Sequence, residues 1–537
     1  MKLPLQALLF AVCASNLLAD AYQRQPSIDV QHYVFRVELN DANDEVAGET
    51  TVTVRFLKDG VSTFWLDLAT PAAGKGMTVS TVTAGSAPVE FTHRDDRLTL
   101  TVAPPAKVGE LRSFTVKYRG VPNKGLLFPK NKFGDRCIFS VNWPDLAHQW
   151  LPTVDHPSDK ATSEFIVTAP SEYQVVANGL LQEELDLGDG RRRTHWKQSV
   201  PIATWLNNIG VAEFASRHFA TAGGVPLQSW SFPKDRENAI VTLEEPLRQS
   251  IEFFNDHIGP YAYEKLAGVE AAGMGGGMEH ASEIFFGERS VSGRPGLGLV
   301  SHETAHQWFG DSVTESDWDD VWLSEGFATY FSSLAIEHYQ GRDALVAQLK
   351  RTRTGIFQTE KRMPDTAVVQ EKPWKGIPNG IVYQKGGWSL HMLRGEIGDA
   401  GFWTAIREYY RRYRDSNAST ADFERTVEET SGQDLRWFFQ QWLYRAGSPV
   451  VEGVWHYDSA AKKVLLDLTQ TESGAPYRLP IEVGMSLPAA PAPKIEKLQF
   501  TQKQQHFEIA ADQEPATVEL DPNVWLLIDT KLTKFVR

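Results

Sequence analysis

A chain of 537 residues is too long for one hydrophobic core, and at about 100–200 residues per domain it divides into roughly three units. A hydrophobic content of 42% with 23% charged residues and many aromatics excludes a disordered or collagen-like chain. The net charge of −14 argues against nucleic acid or an anionic membrane surface as a partner, because both would repel it.

The first 21 residues carry one positive charge at Lys2, an apolar stretch from Leu3 to Leu18 and a small-x-small sequence, Ala19-Asp20-Ala21. This is the pattern of a cleaved export signal, and it predicts a periplasmic or extracellular protein beginning at Tyr22. Its apolar run falls short of the ~20 residues a membrane span needs. With the leader removed, Cys137 is the only thiol, which rules out an internal disulfide. No other window is apolar enough to cross a bilayer as a helix, so no transmembrane segment is expected in the mature chain.

From residue 22 to 234, short alternating segments such as TTVTVRFL (Thr50 to Leu57) and SFTVKYRG (Ser113 to Gly120) are broken by turn residues and predict a β domain. The Arg191-Arg192-Arg193 triplet reads as a solvated hairpin. From 235 to 446 the apolar period becomes helical, first in NAIVTLEEPLRQSIEFFNDHIG and later in FWTAIREYYRRYRD and LRWFFQQWLYRAG. Alternation returns from 447 to 537, in VVEGVWHYD, KVLLDLTQ and YRLPIEVGMSL, and predicts a small β-sandwich with PAAPAP (Pro488 to Pro493) as an exposed loop. The expected fold is therefore multidomain α+β.

Within the helical region, VSHETAHQWFG holds His302, Glu303 and His306, and Glu325 follows His306 after eighteen intervening residues. Residues four apart share a helix face, so both imidazoles can reach one ion while Glu303 sits beside the water that ion binds. Two His, one Glu and an open position form the ligand set of hydrolytic zinc enzymes, and one Zn2+ per chain is expected at His302, His306 and Glu325. Glu303 is the expected general base, taking the proton of the attacking water and passing it to the leaving amine. A phenol can donate to a tetrahedral oxyanion while neutral near pH 7, and Tyr383 in GIVYQKGGWSL is the candidate. Upstream, the glycine-rich GMGGGMEH offers an extended edge at Gly276, Gly277, Met278, Glu279 and His280. Its main chain can pair with a peptide, and Glu279 can hold a free α-ammonium group.

These residues resemble the aminopeptidase N family of gluzincin metallopeptidases, which includes leukotriene hydrolase. The likeness runs through GGMEH, HETAHQWFGDSVT, WLSEGFATYF and YQKGGWSL, with WLPTVDHPSDKATSEFIV upstream and WFFQQWLYRAGSPVV at the junction to the last domain. It implies the same zinc ligands, base, transition-state donor and amine anchor, and a thermolysin-like catalytic domain between the two β domains. It also implies an aminopeptidase acting on peptides with a free N-terminus, a direction that spacing alone does not establish. Three departures stand out. His280 replaces the family's usual Asn, CIFSVNWPDLAHQ lacks the usual Gln and acidic residues, and the chain stops after the sandwich, without the helical fourth domain of many relatives. An open cleft with little length restriction is the expected consequence of the last. The competing readings are a thermolysin-type endopeptidase and a zinc-containing binding protein without catalysis; a lipid epoxide hydrolase is disfavoured because nothing marks a long apolar tunnel.

Overall fold

The computed structural model describes residues 22–369, 378–488 and 492–535. The expected leader and the middle of the PAAPAP loop lie outside them. Among the described residues no helix is long and apolar enough to cross a membrane.

The N-terminal unit is built on an eight-stranded sheet whose centre is the strand Ile28–Glu38. This strand pairs parallel with Lys160–Pro170, Phe35 opposite Phe165, and antiparallel with Val46–Phe56. Its sides alternate between buried and solvent-facing, as period-two patterning requires of a half-covered sheet. A three-stranded sheet of Val61–Asp67, Arg97–Ala106 and Phe91–Arg94 covers the inner face. Edge-on contacts of Phe64 with Phe56 and Phe114 join the two layers, at ring separations of 6.1 and 5.1 Å.

The catalytic unit is not purely helical. It begins with a five-stranded sheet in the order Ala215–Ala222, Val225–Ser231, Leu266–Ala271, Glu283–Gly287, Gly277–Met278. Val225–Ser231 runs parallel to Leu266–Ala271, Leu227 opposite Leu266 and Trp230 opposite Val269. The connection between them carries the helix Glu245–His257, the crossover that parallel strands need. The sheet moves the domain boundary. The expected division at 234 falls inside the catalytic unit, because residues 215–231 alternate like the strands before them but take their partners from 266–271. Alternation identifies a strand and is silent about which sheet it joins. Leu266–Ala271 and Glu283–Gly287 are buried on both faces, as strands inside a layered α/β arrangement are.

Among the described residues six α-helices follow, including Leu297–His306, Trp322–Gln340, Arg342–Arg362 and Gly386–Tyr413, the last interrupted at Gly398, where φ is 77°. Thr420–Ser431 starts at a capping box in which Ser419 and Asp422 satisfy each other's backbone N–H. The C-terminal unit is a sandwich of a four-stranded and a three-stranded sheet, as expected. Cys137 is a free, buried thiol.

Lys160 is one of the points that tie the N-terminal and catalytic units. The Lys160 ammonium donates to the carbonyl oxygens of Asp311 (2.9 Å), Ser312 (2.7 Å) and Ser416 (3.0 Å). Three acceptors satisfy all three of its donors.

Candidate active site

The helix Leu297–His306 lays His302 and His306 on one face, with ring centroids 4.8 Å apart. The helix ends at His306. The chain turns there because Gly310 adopts φ 119° and a side chain at 310 would overlap Ser324 Oγ. The antiparallel helix Trp322–Gln340 then brings Glu325 across from the pair.

The His302 and His306 Nε2 atoms are 3.2 Å apart, and Glu325 Oε2 lies 3.6 and 3.4 Å from them. Those are close to the ~3.3 Å edges of a tetrahedron around an ion with bonds of ~2.0–2.1 Å, the zinc geometry. The charge fits as well. Glu279, Glu303 and Glu325 are all buried at this point, and among the described residues none is paired with Lys or Arg. Burial and the nearby Glu279 charge hold the Glu303 carboxyl well above the usual range. Burial likewise raises Glu279, to about 7. A divalent cation would supply the countercharge, and this donor set suits one.

The second nitrogen of His306 is held too. Its Nδ1 lies 2.9 Å from Ser324 Oγ and 3.2 Å from the Phe309 carbonyl, which fixes the ring with Nε2 free toward the ligand cluster. Sequence patterning did not single out Ser324. Its position directly before Glu325 was the available signal.

Gly277–Met278 is the edge strand of the catalytic sheet, paired on one side with Phe286 and Phe285. Among the described residues no strand lies on its other side, so the sheet leaves its outer main-chain groups unpaired. Glu279 follows immediately, and its carboxylate, the Glu303 carboxylate and a His306 nitrogen all lie within 4.8 Å of one another. Gly277 is glycine for a reason other than close approach of a ligand. An added Cβ would press into the Glu303 side chain itself. Gly276 makes the turn into the strand with φ 71°, and its carbonyl accepts from Gly287 N–H at 2.9 Å.

The His280 side chain points into the core. Its ring is fully buried, edge-on to Phe285 at 4.8 Å, and burial pushes its pKa down to about 3, so it stays neutral. Its carbonyl is taken by Gln307 Nε2. Residue 280 supports the segment from below, because an imidazole beside the Phe285 ring packs as an aromatic first.

Tyr383 reaches the site from a π-helical turn, Gly380–Lys385, and its ring stacks on His302 with centroids 6.2 Å apart and planes 13° from parallel. Burial, reinforced by the Glu325 carboxylate, pushes its hydroxyl far above the ordinary phenol range, so it remains a neutral donor. The structure thus brings together His302, Glu303, His306, Glu325, Glu279, Tyr383 and the 276–278 edge.

Comparison with known proteins gives a consistent result. Residues 29–206 match the Peptidase M1 N-terminal domain, and residues 244–442 match the Peptidase family M1 domain. Glutamyl aminopeptidase of Rattus norvegicus is 28% identical over 353 residues, 63% of this chain and 37% of that protein. Tricorn protease-interacting factor F2 of Thermoplasma volcanium is 26% identical over 332 residues, 57% of this chain and 40% of that protein. The matched part thus spans well under half the length of these curated relatives. The crystal structure of an M1 zinc metallopeptidase from Deinococcus radiodurans superposes with a TM-score of 0.67 at 25% identity, covering 78% of this chain and 94% of that one. Two domain matches in the same order, with the catalytic one enclosing every ligand of the His302–His306–Glu325 cluster, place this chain in peptidase family M1.

Proposed function

We propose that the protein is a zinc-dependent aminopeptidase that releases single residues from peptides with a free N-terminus. The observation that carries this reading is the placing of Glu279 within 4.8 Å of Glu303 and His306. In one amino-acid residue the α-nitrogen and the carbonyl carbon are only ~2.5 Å apart. An anion this close to the base holds an ammonium group one residue from the bond to be cut, which an endopeptidase has no use for.

His302, His306 and Glu325 would hold the zinc, and when bound it would supply a Lewis acid at an open position and acidify water there. The chain's own groups do the rest. The outer edge of Gly277–Met278 pairs with the substrate backbone and orients its first carbonyl. Glu303, packed against Gly277 and without a cationic partner, takes a proton from the attacking water and returns it to the departing amine. The Tyr383 hydroxyl, kept protonated by its surroundings, donates to the oxygen that becomes negative. The bare names of relatives, glutamyl aminopeptidase among them, fit the exopeptidase direction.

The test compares peptides with free and N-acetylated termini. Cleavage of the free peptide alone, one residue at a time, is expected. Equal turnover of both would overturn the exopeptidase reading. The leader-like residues 1–21 support export, and N-terminal sequencing of the mature protein should begin at Tyr22.

A further inference from the structure

Gln307, the residue after His306, is fully buried and makes five side-chain hydrogen bonds. Its Nε2 donates to the carbonyl oxygens of Glu279 and His280, each at 3.2 Å, and to Asp311 Oδ2 at 2.7 Å. Its Oε1 accepts from Ser282 N–H at 2.8 Å and from the Tyr261 hydroxyl at 3.0 Å. One amide thus grips the main chain of residues 279, 280 and 282 from the end of the helix that carries both histidines. The other fixed points of this grip are stiff. Asp311 sits in the segment whose 311 and 312 carbonyls accept from Lys160, and Tyr261 packs against Trp308 at 5.4 Å.

We propose that Gln307 is a positioning residue that sets the distance between the Glu279 carboxylate and the His302–His306 pair, and through it the selectivity for a free α-amine. Glu279 itself has little other support. Its Oε1 is buried without a hydrogen-bond partner among the described residues, so its place is set by its backbone, and Gln307 holds that backbone. The amide is suited to the task because it offers a donor and an acceptor on a single planar group, the donor to residues 279 and 280 and the acceptor to residue 282 of the turn between the two strands. This inference rests on the aminopeptidase reading.

The experiment is a double-mutant cycle of Gln307→Ala and Glu279→Gln, read as KM and kcat on a free peptide and its N-acetylated form, with zinc content measured for every variant. Gln307→Ala is expected to raise KM for the free peptide by about tenfold or more, since ångström-scale misplacement of a binding group costs up to about 10²-fold. kcat should change less and bound zinc should stay the same. In the Glu279→Gln background the same substitution should cost less than about twofold, because the group it positions is already disabled. Tyr261→Phe, which removes the hydroxyl that Oε1 shares with the Lys265 carbonyl and leaves the amide in place, should shift the same KM in the same direction by about two- to threefold and keeps the test open if Gln307→Ala does not fold. Independent, multiplicative losses in the cycle, or an unchanged KM in Tyr261→Phe, would overturn the proposal. Failure of the aminopeptidase reading looks different, since the unmodified enzyme would then cleave acetylated and free peptides alike.

Discussion

Gly277→Ala tests the packing of the base against the substrate strand. A methyl group at 277 would sit about 1 Å inside the 3.4 Å at which ordinary contact with Glu303 Cγ, Cδ and Oε1 begins. The strand cannot retreat freely, because Gly277 and Met278 pair with Phe286 and Phe285. Glu303 cannot retreat freely either, since it is buried and closely flanked by Glu279 and His306. Either the carboxylate or the substrate edge must therefore move by about 1 Å, and such a displacement of a reacting group costs about 10²-fold in kcat/KM, or about 2.7 kcal/mol of transition-state stabilisation. The assay is kcat/KM on an aminoacyl fluorogenic substrate, with zinc content and thermal midpoint as controls. Gly275→Ala is the matched comparison, because a Cβ there meets nothing within 4 Å, and it should retain nearly full activity. If Gly277→Ala retained unmodified kcat/KM with zinc in place, the argument that Glu303 and the edge strand share one contact would be wrong.

Other expectations follow from the same geometry. Glu303→Gln should keep its zinc and lose turnover, by about 10²-fold or more, since the base is removed and the ligands are not; metal analysis beside single-turnover kinetics separates the two. Ser324→Ala should weaken zinc by about 10–100-fold in a chelator competition, because it removes the 2.9 Å contact that orients the His306 ring. Lys160→Met should lower the thermal midpoint, since it takes the donor from the carbonyls of two buried residues, Asp311 and Ser312, at about 1–3 kcal/mol each, with the loss visible in metal-depleted protein as well. His148 supplies a pH dependence: burial opposes its charge, but the hydrogen bond and charge of Asp155 at 2.7 Å win and raise its pKa to about 9. A group raised on folding stabilises fully below its unfolded value near 6.5 and loses that contribution as pH climbs through about 9, at most about 3 kcal/mol here. His148→Gln should flatten the thermal midpoint between those pH values, and an unchanged slope would refute the assignment.

Much of the site was legible before any coordinates because metal chemistry constrains spacing. Four residues on a helix bring His302 and His306 together, and hydrolytic zinc sites complete such a pair with a carboxylate where structural sites favour thiolates, so Glu325 stood out. What patterning missed is non-local. The strands at 215–222 and 225–231 look like those of the N-terminal sheet, and only the parallel register to 266–271 assigns them to the catalytic one. Gln307 and Ser324 are ordinary polar residues in a helical sequence, and their roles come from partners that are 25–28 and 18 positions away. Gly277 was picked out as part of an edge that a peptide could approach closely, and the volume of Glu303 is a second constraint on it that the sequence does not show. His280 was placed at the substrate edge by its neighbours in the chain, while an aromatic partner, Phe285, decides where its ring goes.

The π-helical turn that carries Tyr383 has a consequence for how this region tolerates change. Such a turn holds one more residue than an α-turn, so it acts as a register insertion ahead of Gly386–Tyr413. Deleting any single residue between 380 and 385 would let the segment close into ordinary α-helix, with the turns that follow keeping their phase while the side chains within the widened turn, Tyr383 among them, are redirected. The direction of the phenol is thus written in the number of residues there as much as in their identity. Substitutions in this stretch should be graded in effect, whereas a one-residue deletion should turn Tyr383 away from the site altogether.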